Sequence, residues 1–143
     1  MQTILVTGAA GFIGSRVAEM LLAQGHRVIG VDNLNEYYDV RLKLWRLSAL
    51  EKYYRFTFFR EDIENFASMR TIFQDYRPSA VINEAARAGV RYSLEDPFIY
   101  LSTNAGGTLN LLELCRQCGA TKFILASTSS LYAGQKTPFR EEL

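Results

Sequence analysis

The chain has 143 residues, a formal net charge of +1, and 48% hydrophobic against 22% charged residues. That length suits one domain with a sizeable core, since chains of this size bury roughly 68–70% of their unfolded surface. The balanced charge gives no electrostatic case for nucleic acid or an anionic membrane, and no apolar run reaches the roughly 18 residues of a membrane span. The N-terminus reads as a strand rather than a signal peptide, so the expected location is cytoplasmic.

In chain order, Ile4, Leu5 and Val6 form an apolar run without polar alternation, the pattern of a parallel strand buried on both faces. The run ends in TGAAGFIG, with glycines at 8, 11 and 14. Gly8 turns the chain, Gly11 lets a pyrophosphate approach backbone N–H groups, and Gly14 lets a new helix press close. Phe12 and Ile13 are expected to anchor the start of that helix in the core, and the helix runs to about Gln24. Its free N–H groups and positive dipole end make an anion site. A second apolar run, Val28 to Val31, ends in Asp32, eighteen residues past Gly14. An acid there accepts from an adenosine ribose and disfavours a 2′-phosphate, which points to NAD over NADP, with Arg41 and Lys43 nearby as opposing charges.

Tyr37 to Lys52 reads as a helix with Val40, Leu44, Leu47 and Leu50 on its apolar stripe and Arg41, Lys43 and Arg46 on its polar side. Trp45 rests on its flank. Arg55 to Phe59 reads as a third strand, and Asp62 is placed to cap a helix from about Asn65 to Tyr76, which Pro78 ends. Ala80 to Asn83 is a fourth strand. Asp96 to Cys118 reads as one long helix, with Pro97 in its first turn and Gly119 as its stop. Lys122 to Ala126 is a fifth strand, running into the hydroxyl cluster Ser127 to Ser130. Alternating strands and helices imply a three-layer α/β sheet of about five parallel strands in the order 3-2-1-4-5, with helices on both faces. The ligand then belongs at the switch point between strands one and four.

Cys115 and Cys118 are the two cysteines and His26 the one histidine. A closed zinc site wants four ligands, so two small core residues are the preferred reading of the cysteines, a solvated turn residue that of His26, and no metal is expected.

TGAAGFIG, VDNLNEYYDVRLK (31–43) and EAARAGVRYS (84–93) together resemble the extended short-chain dehydrogenase/reductase family, specifically its nucleotide-sugar epimerases of the UDP-glucuronate 4-epimerase type. The resemblance covers the whole chain and implies a Rossmann-type NAD-binding domain over residues 1–143. It further implies cofactor contacts from Gly8, Gly11, Phe12, Ile13, Gly14, Asp32, Asn33, Asn35, Asp62, Ile63, Ala85, Ala86 and Asn104. Asp62 would take the adenine amino group and Ile63 pack near the ring. Thr128 takes the place of the family's hydroxyl residue that hydrogen-bonds the sugar hydroxyl during hydride transfer.

Three departures from the family pattern stand out. The family's Tyr-x-x-x-Lys base does not follow Tyr132, whose spacing to Lys136 mimics the motif too close to the fifth strand, so this chain alone is expected to be inactive and truncated before the catalytic helix. Glu84 stands where relatives have an apolar residue, beside the pyrophosphate path, and Arg87, in place of a glutamine, is expected to neutralise it. Ala133 replaces a glycine. The partners implied are NAD and, once a second half completes the site, a nucleotide-sugar. Alternatives are a non-enzymatic NAD-binding module and a half-protein completed by a separate chain. Leu109, Leu111, Leu112, Leu114, Cys115 and Cys118 cover more than one helical stripe, so a homodimer or larger assembly through helix 96–118 is expected.

Overall fold

The computed structural model describes residues 1–142. Five strands, β1 (Thr3–Thr7), β2 (Arg27–Val31), β3 (Phe56–Phe59), β4 (Ala80–Asn83) and β5 (Lys122–Leu125), form one sheet in the order β3-β2-β1-β4-β5. Every pairing is parallel, with Leu5 of β1 opposite Ile29 of β2 and Val81 of β4.

The unbroken apolar runs have their explanation in two cores. Ile4, Val6 and Val28 point to one face, where α1 (Phe12–Ala23) and α2 (Val40–Leu50) cover them with Ala18, Leu22, Leu47 and Leu50. Leu5, Ile29, Val31 and Val81 point to the other, against Met69, Ile72 and Phe73 of α3 (Phe66–Tyr76) and Leu111, Leu114 and Cys115 of α6 (Thr108–Cys118). Alternate residues of each central strand serve opposite cores, so both of its faces are apolar until its C-terminal residue.

Four local expectations are corrected. Phe12 is 80% and Ile13 58% exposed, so these side chains do not anchor α1 in the core. They are turned outward at its first turn, and burial begins at Gly14 and continues at Ala18 and Leu22. In α2 the buried stripe is Lys43, Leu47 and Leu50, while Leu44 is 51% exposed. Lys43 therefore lies on the inner side of the helix, not on its polar face. Asp62 does not cap α3. Asn65 does, accepting from Ser68 N at 3.2 Å.

The fourth correction concerns the single helix 96–118. After a short α4 (Val90–Glu95), Asp96 caps α5 (Pro97–Tyr100), which widens into a π-helical stretch, Leu101–Gly107, before α6 resumes. A Cβ on Gly107 would stand 2.5 Å from Ile63 Cδ1, and Thr103 donates to the Glu64 carboxylate. Asn110 Nδ2 donates to the carbonyls of Ile63 and Glu64 at 3.0 Å each. The helix is wide where it straddles the 63–64 loop, the kind of distortion that π-turns accommodate at functional sites. Gly119 ends α6 in the left-handed region at φ 77°, as expected of a stop.

Candidate functional site

The glycine loop lies at the C-terminal edge of β1. Gly8 adopts φ +64°, and a Cβ there would stand 2.8 Å from the carbonyl carbon of Glu84, so the β1 and β4 loops touch backbone to backbone. Gly11 N donates to Gly8 O at 2.8 Å, closing the turn. A Cβ on Gly14 would come within 2.2 Å of Gly8 O, so what Gly14 admits is the phosphate loop itself rather than the body of the strand. No side chain caps the start of α1 at Gly11, which leaves its first-turn donors for an anion.

Asp32 follows β2 and is only 7% exposed. Its Oδ2 accepts from Ala10 N at 3.1 Å and its Oδ1 from Leu34 N at 2.8 Å, which ties the acid to the glycine loop and holds Leu34 at φ 55°. Asn33 Nδ2 donates to Asp62 Oδ2 at 2.7 Å, and Asn35 bonds back to Asn33 Oδ1 at 3.0 Å from both its backbone and side-chain nitrogens. Asp62 thus serves the β2 loop instead of a helix. Tyr37 packs edge-on against Tyr92 at 6.1 Å between ring centroids, Tyr38 accepts from Arg46 Nη1 at 2.8 Å, and both line the cleft that the glycine loop and Asp32 border.

At the end of β4 a buried polar chain joins three elements. Ala85 N donates to Thr7 Oγ1 at 3.2 Å, Thr7 Oγ1 donates to Asn83 Oδ1 at 2.5 Å, and Asn83 Nδ2 donates to Thr108 Oγ1 at 3.1 Å. The sequence reading passed over Thr7, Asn83 and Thr108. Their signal was a polar residue closing each of two buried apolar runs at matching register, Thr7 opposite Asn83.

Gly8, Gly11, Asp32, Asn33, Asn35 and Asp62 line one cleft, together with Ile63, Ala85 and Ala86 on its far side. Ile63 is nearly buried at the cleft floor, at 3% exposure. Phe12 and Ile13 lie outside this cleft, along a groove between α1 and α2. Asn104 and Thr128 border a neighbouring cleft with Ser127 and Ser129. Asn104 clamps Arg87, accepting from its backbone N at 2.7 Å and donating to its carbonyl at 3.0 Å. Thr128 Oγ1 accepts from Ser130 N at 3.1 Å, a turn bond that leaves its hydroxyl hydrogen for another acceptor.

Arg87 lines both clefts. It does not neutralise Glu84: no ion pair joins them among the described residues, and Arg87 Nε is buried without a partner. Asn104 fixes the backbone of Arg87 and with it the direction of the side chain. Glu84 is instead adjusted by burial, which raises its carboxyl above the ordinary value. The raised value means that the folded chain holds this proton more tightly than the unfolded chain. Its contribution to stability is therefore full below the ordinary carboxylate range and is lost as pH rises through the raised value. An anionic ligand in the cleft should follow the same direction, binding less tightly as Glu84 ionises. Glu84→Gln is expected to tighten NAD about tenfold at neutral pH, roughly 1.4 kcal/mol, and to flatten the acid-side pH dependence in calorimetry. Unchanged affinity would place the carboxylate away from the phosphates.

Cys115 is buried, with its thiol pushed up to about 11 by burial and by Cys118, so neither pairing nor thiolate chemistry is set up there. His26 Nδ1 accepts from Gln2 N at 3.3 Å in the turn before β2. Among the described residues no cluster of His, Cys, Asp and Glu could hold a metal ion, and no helix is long and apolar enough to cross a membrane.

The family model described as GDP-mannose 4,6 dehydratase matches residues 5–143. A UDP-glucuronate 4-epimerase from Thermodesulfobacterium geofontis is 60% identical over all of this chain and 44% of its own length. A probable UDP-glucuronate 4-epimerase from Rhizobium meliloti is 43% identical over 96% of this chain and 40% of its own. The structure of UDP-glucuronic acid 4-epimerase from Bacillus cereus, in complex with UDP-glucuronic acid and NAD, matches with TM-score 0.87 and 39% identity, covering 99% of this chain and 45% of that one. The chain spans less than half the length of these relatives.

Proposed function

Because the chain belongs to the epimerase/dehydratase family whose model is that of GDP-mannose 4,6 dehydratase, we propose that residues 1–143 form the NAD-binding half of a nucleotide-sugar 4-epimerase acting on a UDP-sugar. One observation carries this reading: Gly8, Gly11, which is the uncapped N-cap position of α1, and Asp32 line a single cleft at the switch point between β1 and β4. Gly11 keeps a side chain out of the cleft, where its Cβ would stand 2.9 Å from Gly8 O, and Gly14 lets α1 press against the glycine loop. The α1 first-turn N–H groups would hold the phosphates. Asp32 and the Asn33–Asp62 pair would hold the adenosine.

NAD, when bound, supplies a hydride acceptor and donor for the sugar carbon. Thr128 borders the adjoining cleft, where its hydroxyl would orient a sugar hydroxyl. The proton lost as hydride leaves needs a tuned base. Tyr132, stacked on Phe139 with 5.1 Å between ring centroids, does not line that cleft and is not assigned as that base. The 60% identical relative supports a uronic-acid nucleotide as the sugar class.

Calorimetry of the chain with NAD, beside Gly11→Val, tests the cofactor half. Measurable heat from the native chain and a loss of about tenfold or more in the variant, roughly 1.4 kcal/mol, is the expected result. Equal heats, or none from either, would overturn it.

A further inference from the structure

The adenosine end of the cleft contains a buried cation that the cofactor reading leaves without a role. Lys43 is 5% exposed, in the first turns of α2, and its side chain lines the cleft beside Asp32. Its Nζ lies 3.5 Å from Asp32 Oδ1, with each side chain 6% exposed. It also donates to Asn35 Oδ1 at 3.2 Å and sits 5.2 Å from the centre of the Tyr38 ring. Of the other cations close by, Arg41 is held by Asp39 at 2.6 Å on the exposed side of the helix, Arg46 donates to Tyr38 Oη at 2.8 Å and to Ala10 O at 3.4 Å, and Arg87 enters the cleft from the loop after β4.

Counting donors and acceptors shows what remains. An ammonium carries three N–H groups. Asn35 takes one and Asp32 faces a second, which leaves one for a ligand. Each carboxylate oxygen accepts about two hydrogen bonds. Oδ2 of Asp32 is given one by Ala10 N, so it keeps one acceptor position, while Oδ1 is occupied by Leu34 N and faces Lys43. The pair therefore offers the ribose one acceptor and one donor and is close to neutral in sum.

We propose that Lys43 is a specificity-determining residue of the adenosine site, setting how strongly the cleft rejects an adenosine ribose that carries a 2′-phosphate. A lone buried carboxylate would repel the phosphate dianion. With an ammonium 3.5 Å from that carboxylate, the phosphate meets a charge of each sign at similar range, and the repulsion largely cancels. Rejection of NADP is accordingly mild in this chain, weaker than Asp32 taken alone dictates. The inference rests on the reading of the cleft as an NAD site.

The test measures dissociation constants for NAD and NADP with the whole chain and with Lys43→Met and Lys43→Arg, fold being checked by circular dichroism. The native chain should prefer NAD by less than about tenfold, and Lys43→Met should widen that ratio by about tenfold or more, while Lys43→Arg keeps it. Asp32→Asn with Lys43→Met removes both charges together, avoids an unpaired buried carboxylate, and should return the ratio to near the native one. A ratio left unchanged or narrowed in Lys43→Met overturns the proposal. So does a double variant that rejects NADP as strongly as Lys43→Met does. Should Lys43→Met not fold, the double variant decides against the native chain: a ratio near the native one is expected, and rejection of NADP about tenfold stronger than native overturns the proposal. NAD binding by the native chain with no ratio change in Lys43→Met sinks only the role of Lys43, whereas a native chain that binds neither nucleotide sinks the NAD reading as well.

Discussion

Gly14→Ala is expected to lower the thermal midpoint by on the order of 10 °C and to weaken NAD about a hundredfold. The added Cβ would stand 2.2 Å from Gly8 O, 2.8 Å from Gly8 C and 3.3 Å from Ala9 Cα. Ordinary carbon contacts begin near about 3.5 Å, so the loop must retreat by about 1 Å, and its obstacles are backbone atoms that no rotamer change can move. Overpacking of this kind costs roughly 1–3 kcal/mol and more where the neighbours are rigid. The loop is rigid here because Gly8 is itself wedged against Glu84 and Ala85.

Two companions separate the causes. Gly11→Ala meets one close atom, Gly8 O at 2.9 Å, with Gly8 C at an ordinary 3.9 Å, so it should reduce NAD binding with a smaller loss of stability. Gly119→Ala meets nothing within 4 Å but sits at φ +77°, so it should cost about 1–2 kcal/mol and leave binding alone. Differential scanning calorimetry and NAD titration on the three variants check this ordering. A Gly14→Ala chain with native melting and native affinity would mean that the close approach of helix to loop is not required.

Much of this site could be read from the sequence because its requirements are local. A glycine at each of three positions and a strand before them follow from the backbone geometry of one tight strand-to-helix turn, and the acid after the next strand is tied to that turn through Ala10 N. The strand order followed from parallel crossovers for the same reason. Lys43 was misplaced because periodicity assigns a charged residue to the outer face, and its burial is made tolerable by Asp32, eleven residues earlier in the chain, together with Asn35 and the Tyr38 ring. Asp62 was misplaced because an acid before a helix looks like a cap, while its partner, Asn33, lies on another loop. The π-helical stretch had only Gly106 and Gly107 as a sign, and its cause is Ile63 pressing from outside the helix. Each miss is a long-range contact that left no periodic trace.

The largest such miss concerns α6 and yields the other large expected effect. Leu111→Glu and Leu114→Glu do not test an interface, because both leucines are 0% exposed in the core beneath β1 and β4. Leu111, Leu114, Cys115 and Cys118 follow the spacing of one core stripe, and Leu109 and Leu112 form the adjacent one, 65% and 44% exposed. Pattern alone cannot say which of two neighbouring stripes meets the sheet. Truncating a buried leucine costs about 2–5 kcal/mol, and an unpaired carboxylate in its place adds several more. Against a total stability of roughly 5–15 kcal/mol, Leu111→Glu should leave the chain unfolded or insoluble. Leu109→Glu with Leu112→Glu should fold with stability within about 1 kcal/mol of native. If the chain self-associates through this helix, the contact runs through Leu109 and Leu112, and light scattering on that double variant should report a monomer. A folded Leu111→Glu chain whose mass alone had changed would restore the interface reading of that leucine and remove it from the core.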